Sequence, residues 1–92
     1  MIPFYNISNA LLLRARSLVQ EWAPGGYFRG SEYHTKNPTR SDKNPGSFKI
    51  NIQTGAWADF ATSDRGRDLI SLYAYLNKIS NSDAARELSL RL

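Results

Sequence analysis

Cysteine is absent from all 92 residues, which excludes disulfides, thiolate nucleophiles and every cysteine-ligated zinc site by inventory. Histidine is almost absent as well. His34 is the single imidazole, so a zinc site would have to combine it with carboxylates, and a histidine-dependent triad would have to centre on it. A structural or solvent-facing His34 is the simpler expectation. Long apolar runs are also missing: Ala10 to Leu13 is cut short by Arg14 and Arg16, and the opening Met1-Ile2-Pro3-Phe4-Tyr5 has no basic leader. No membrane partner is therefore expected, and the expected compartment is the cytoplasm.

Catalytic signatures are lacking too. No phosphate-cradling Gly-rich loop ending in Gly-Lys-Ser/Thr occurs, and Gly25-Gly26 and Gly66 do not make a dinucleotide fingerprint. No serine sits in a nucleophile elbow. Asp59, Asp64 and Asp68 are the one local carboxylate cluster, of the kind a two-metal phosphoryl-transfer site would use. Asp64 stands in a turn beside Arg65, however, and Asp68 stands where a helix cap belongs, so both are expected to be structural. The expectation is a protein that is not an enzyme and carries no cofactor.

What is present is an ordinary globular balance, 41% hydrophobic and 22% charged, in a chain of the length of one domain. Such a domain buries roughly 60 to 65% of the surface its unfolded chain exposes, which permits one modest core. Twelve basic against eight acidic residues leave a net charge of +4, which favours anionic partners.

Apolar residues recur at steps of three and four through Ile7, Leu11, Leu12, Ala15, Leu18, Val19 and Trp22. They predict one amphipathic helix over about 7–22, capped by Asn6 or Ser8 and stopped by Pro24-Gly25-Gly26. A short strand is expected over about 32–35, and the Pro- and Asn-rich stretch from Lys36 to Gly46 is expected to be a loop. Ser47 to Ile52 alternates polar and apolar, Gln53-Thr54-Gly55 reads as a turn, and Ala56 to Phe60 completes a β-hairpin, with strands over about 47–52 and 56–60. Phe48, Ile50 and Ile52 must share one face, leaving Ser47, Lys49 and Asn51 on the other. Two helices follow, over about 68–78 and 82–90, opened by Asp68 and by Ser80-Asn81-Ser82-Asp83. The expected class is α+β, residues 1–92 forming a single domain.

Around the hairpin, basic and aromatic residues interleave. Single-strand binders combine a cationic track for phosphates with aromatic faces for stacking. Arg40, Lys43, Lys49, Arg65 and Arg67 are the expected phosphate contacts, with Lys36 beside them, and Trp57 or Tyr33 the expected stacking ring. Trp57, Tyr33 and Phe48 serve equally well as core.

The ordered series Glu32-Tyr33, Asn37-Pro38-Thr39-Arg40-Ser41-Asp42, Pro45-Gly46-Ser47-Phe48-Lys49-Ile50-Asn51, Thr54-Gly55-Ala56-Trp57, Asp59-Phe60 and Gly66-Arg67-Asp68-Leu69-Ile70-Ser71 resembles the N-terminal zinc-ribbon domain of bacterial and phage DnaG-type primases. It looks most like the cysteine-less version in primase-helicases of phages, plasmids and mobile elements, and it covers about residues 22–90. The resemblance implies a zinc-ribbon-like antiparallel sheet of about three strands, packed by an N-terminal helix and two C-terminal helices. Where zinc-bearing relatives carry ligands, this chain aligns Pro38, Ser41, Asp59 and Thr62, so no metal is carried over. Asp59 or Asp42, accepting loop amides with Thr62 and Ser41 as short-range partners, is the expected replacement. The resemblance further implies a non-catalytic module that contacts single-stranded DNA template, alone or as a piece of a longer replication protein with a primase catalytic domain or replicative helicase as partner. The alternative it leaves is a degenerate domain that docks on such a partner as a protein-interaction module.

Overall fold

Helical spacing runs unbroken from Ile7 to Trp22, yet the chain divides it between two helices. A computed structural model describes residues 3–41 and 46–92. Within them lie four helices and five strands. Helix α1 spans Phe4–Leu12 and α2 spans Ala15–Trp22. Leu13 is 89% exposed at the corner between them, and Arg14 leaves helical geometry with φ −118° and ψ 17°. The corner lets Ile7 and Leu11 face one part of the core and Ala15, Leu18 and Val19 another. No glycine or proline marks it, so it is tertiary packing that overrides the local pattern. The N-cap is Pro3, whose carbonyl accepts from Asn6 N and Ile7 N, and neither Asn6 nor Ser8 caps the helix.

The five strands β1 (Tyr27–Arg29), β2 (Glu32–Thr35), β3 (Phe48–Asn51), β4 (Trp57–Asp59) and β5 (Asp64–Gly66) form one antiparallel meander in sequence order. The sheet is therefore wider than the three strands expected, gaining a strand at each edge. A two-residue turn, Gly30-Ser31, joins β1 to β2, and Gly30 takes φ +60° there, the sign such a hairpin turn requires. Gly66 on β5 leaves room for an indole: a Cβ there would lie 2.5 Å from Trp57 Nε1.

Two helices complete the fold, α3 (Leu69–Asn77) and α4 (Asn81–Arg91). Asp68 accepts from Ser71 N at 2.7 Å and Ser80 from Asp83 N at 3.0 Å, so both helices start on side-chain caps. The helices cover one face of the sheet. Tyr33, Phe48, Ile50 and Trp57 point into that layer with Leu69, Ile70 and Leu72, and each such burial contributes about 1.5–3 kcal/mol. The architecture is α+β with a small antiparallel sheet. Among the described residues no helix is long and apolar enough to cross a membrane.

Candidate nucleic-acid interface

Two loops flank the sheet at the end where β2 leaves and β4 turns back, and a buried carboxylate ties them together. Asp59 is fully buried at the end of β4. Its Oδ2 accepts from Asn37 Nδ2 at 2.8 Å and from Arg40 Nε at 2.9 Å, and its Oδ1 from Ala61 N at 2.9 Å and Arg40 Nη2 at 3.3 Å. Asn37 Nδ2 also donates to Tyr75 Oη, which in turn donates to Asp64 Oδ2, each at 2.8 Å. Burial alone would push the Asp59 carboxyl up. The hydrogen bonds from Arg40, Asn37 and Ala61 N, with the Arg40 charge, outweigh it and lower the pKa from 3.8 to about 2.

This clasp joins the 37–40 segment to the 59–64 turn, as the sequence led us to expect of Asp59. Its partners are different. Asn37 and Arg40 do the clasping, whereas Thr62 Oγ1 only accepts from Asp64 N at 3.3 Å, Ser41 is exposed, and Asp42 lies outside the described residues. Among the described residues no group of three or more His, Cys, Asp or Glu side chains converges as a metal site would require.

The clasp changes the role of Arg40. Its guanidinium, assigned from the sequence to a phosphate, is half-buried and bonded to Asp59 and, through Nη2, to Ser47 Oγ at 3.1 Å. The two expected stacking rings are corrected as well. Tyr33 is 1% exposed, donating from Oη to Ala23 O at 2.7 Å and accepting from Gly26 N at 3.0 Å. Trp57 is 5% exposed, with Nε1 donating to Ser71 Oγ at 3.0 Å and its ring 4.6 Å from that of Tyr75. Both belong to the core and offer no face to a base.

Among the described residues the opposite face of the sheet carries no helix. Strand register places Tyr27, His34, Lys49, Ala58 and Arg65 in one outward row across all five strands, with Arg29, Glu32 and Asn51 in the next. Lys49 and Asn51 thus point outward, and Arg65 joins them from the edge strand. Lys36 and Arg67 are exposed one residue beyond β2 and β5, and Lys43 lies outside the described residues. Arg29 is a further exposed cation of this face, beyond the expected phosphate contacts.

Two exposed rings lie on this face in place of the expected stacking rings. Phe60, two positions beyond outward-facing Ala58, is 69% exposed, and Lys49 Nζ stands 5.2 Å from its ring centroid. Tyr27, 44% exposed, stacks on His34 at 5.1 Å and 10°, and this buries the imidazole although it lies on the outer face. His34 Nε2 is 3.3 Å from Glu32 Oε1. The register places Phe60 outward: with Lys49 outward, its partner Ala58 and then Phe60 point the same way.

No protein-family model matches the sequence, and no curated protein does. Among solved structures, the chain is similar to the primase of Aquifex aeolicus, in a crystal structure of its zinc-binding and RNA polymerase domains, with 25% identity and a TM-score of 0.72. The similarity covers 92% of this chain and 21% of that one, so the chain spans about a fifth of the length of that structure. The fold is primase-like.

Proposed function

We propose that the chain is a nucleic-acid-binding module of DNA replication or priming, and that its helix-free sheet face holds a single-stranded DNA template without catalysing a reaction. One observation carries the reading: exposed aromatic faces, Tyr27 and Phe60, share a solvent-facing sheet with Arg29, Lys49 and Arg65. Neighbouring strands lie about 4.8 Å apart, so a row across five of them runs about 19 Å, enough to track several nucleotides. Unstacked bases offer π-faces to Tyr27 and Phe60 while the cations neutralise phosphates. A duplex hides those base faces and fits this surface less well. The primase-like fold supports the same reading.

A docking role on a helicase or another replication partner has less to stand on. The exposed apolar residues of the helical layer, such as Phe4, Leu13 and Leu90, occur at the start of α1, the α1–α2 corner and the end of α4, while Arg29, Lys49 and Arg65 share the open sheet face. The test is a fluorescence titration with single-stranded and duplex oligonucleotides at two salt concentrations. Single strands should bind more tightly and lose affinity with salt, and an absence of binding at low salt would rule the reading out.

A further inference from the structure

Within the cationic sheet face one feature runs against the charge. Glu32 points outward from the first position of β2, where its carboxylate would repel a passing phosphate. It forms one wall of a shallow basin of about 270 Å³, which Lys49, Asn51, Ala58 and Phe60 also line. Ala58 gives the basin its depth, since the methyl group stands between the longer side chains of Lys49 and Arg65 in the same row. The exposed Phe60 ring supplies an aromatic wall.

The polar groups of the basin have a fixed sense. Asn51 Oδ1 accepts from Gln53 N at 2.8 Å and from Thr54 N at 3.1 Å, so the hairpin turn itself orients the amide. Its Nδ2 has no partner among the described residues and is left to donate. Directly across the β2–β3 pair stands Glu32, which when ionised only accepts. Side chains at such paired positions have Cβ atoms about 4.5–5.5 Å apart. The basin thus presents a carboxylate, whose Oε1 also lies 3.3 Å from His34 Nε2, beside an N–H donor and walled by an aromatic ring.

We propose that this basin selects a base of the bound strand, with guanine the best fit. Guanine carries two adjacent donors, N1–H and N2–H, and beside them the acceptor O6. The Glu32 carboxylate receives the two donors in parallel and Asn51 Nδ2 donates to O6. Adenine and cytosine each match one acceptor and one donor of the pair. Thymine sets a carbonyl on either side of its single N–H, so one carboxylate oxygen meets an oxygen. Glu32 is therefore a specificity-determining residue: it weakens general phosphate attraction and gains base discrimination. The inference rests on the sheet face being a nucleic-acid interface.

The experiment compares fluorescently labelled oligothymidylates that carry, at one central position, thymine, guanine or hypoxanthine, which lacks the 2-amino group. Guanine should bind about tenfold more tightly than thymine, with hypoxanthine between them. Glu32→Gln should bring guanine and thymine to within about twofold while affinity for plain oligothymidylate holds or rises, because a negative charge has left a cationic face. Asn51→Asp keeps an oxygen for the turn amides of Gln53 and Thr54, removes the donor and adds a negative charge, so it should lower the guanine preference and also weaken binding of plain oligothymidylate. Thermal melting of both variants verifies the fold. Equal binding of guanine and thymine by the unaltered protein, or a full guanine preference in Glu32→Gln, would overturn base selection alone. Failure of every probe to bind at low salt would overturn the interface, and base selection with it.

Discussion

Arg40 and Asp59 meet across nineteen positions of sequence, Nε to Oδ2 at 2.9 Å and Nη2 to Oδ1 at 3.3 Å. The carboxylate is fully buried and the guanidinium partly so, at 29% exposure of its side chain. With Asn37 between them, they join the two loops that a metal joins in the zinc-bearing primase domains the sequence resembles. A hydrogen-bonded clasp is weaker than a metal centre, but it needs no cofactor to close.

Removal of one partner leaves the other without compensation. Asp59→Asn takes away the charge and one of the two acceptor oxygens while preserving shape. The cost should be about 3 kcal/mol, at the low end for a broken buried pair because Arg40 retains some solvent. For a domain of this size that lowers the melting temperature by roughly 10–25 °C. Calorimetry of the variant checks it, and a loss below about 1 kcal/mol would show that the clasp is not what holds the loops.

Acid should loosen the same contact. The folded Asp59 carboxyl, at about 2, lies below its ordinary 3.8, so the unfolded chain takes up the proton first as pH falls. The stabilisation is complete above about pH 5, fades through pH 4 and 3, and is largely gone near pH 2, a total of about 2 kcal/mol. Urea midpoints across this window should fall in the native protein and converge with those of Asp59→Asn. Parallel pH profiles for the two would contradict the assignment.

Chelation should change nothing. If hydrogen bonds close the loops, melting curves with and without a strong chelator superimpose, whereas a domain that folds around a structural metal loses much of its stability when stripped. A chelator-induced drop in melting temperature would contradict the clasp as the sole fastening.

The two aromatic classes should separate experimentally. Phe60→Ala removes an exposed ring and should leave stability nearly intact while lowering single-strand affinity by about 1–3 kcal/mol. Trp57→Ala opens a core cavity, strips Ser71 Oγ of its indole donor, and should cost about 3–5 kcal/mol of stability. Paired melting and binding measurements distinguish them. A Phe60→Ala variant that binds as tightly as the native protein would remove stacking from the interface.

Why the sequence misplaced the rings is a matter of register. Period-two alternation from Ser47 to Ile52 correctly set Phe48 and Ile50 inward and Lys49 outward. It could not fix the sense of Ala56 to Phe60, because that depends on the turn pairing Trp57 with Ile50, and a shift of one residue reverses every side chain. The burial of Asp59 on that face was not legible either, since beside the local Ala61 amide it rests on Arg40 and Asn37, far away in sequence. The edge strands β1 and β5 were hidden by brevity: three residues each, holding Arg29 and the Arg65-Gly66 pair, carry no legible alternation. Asp59 itself was legible, from its alignment with a metal-ligand position.

Salt dependence separates cations that meet phosphate from cations that hold the fold. With about four phosphate contacts on a single strand, log affinity should fall against log salt with a slope near −3. Lys49→Gln and Arg65→Gln, both on the outward row, should each flatten that slope by about 0.7 and weaken binding without a comparable loss of stability. Arg40→Gln should do the reverse, lowering the melting temperature through Asp59 and leaving the slope near its native value once the protein is folded. Equilibrium titrations of the three variants over a range of salt decide the matter. A flattened slope for Arg40→Gln, or an unchanged one for both Lys49→Gln and Arg65→Gln, would move the phosphate track from the sheet face to the loop that Arg40 anchors.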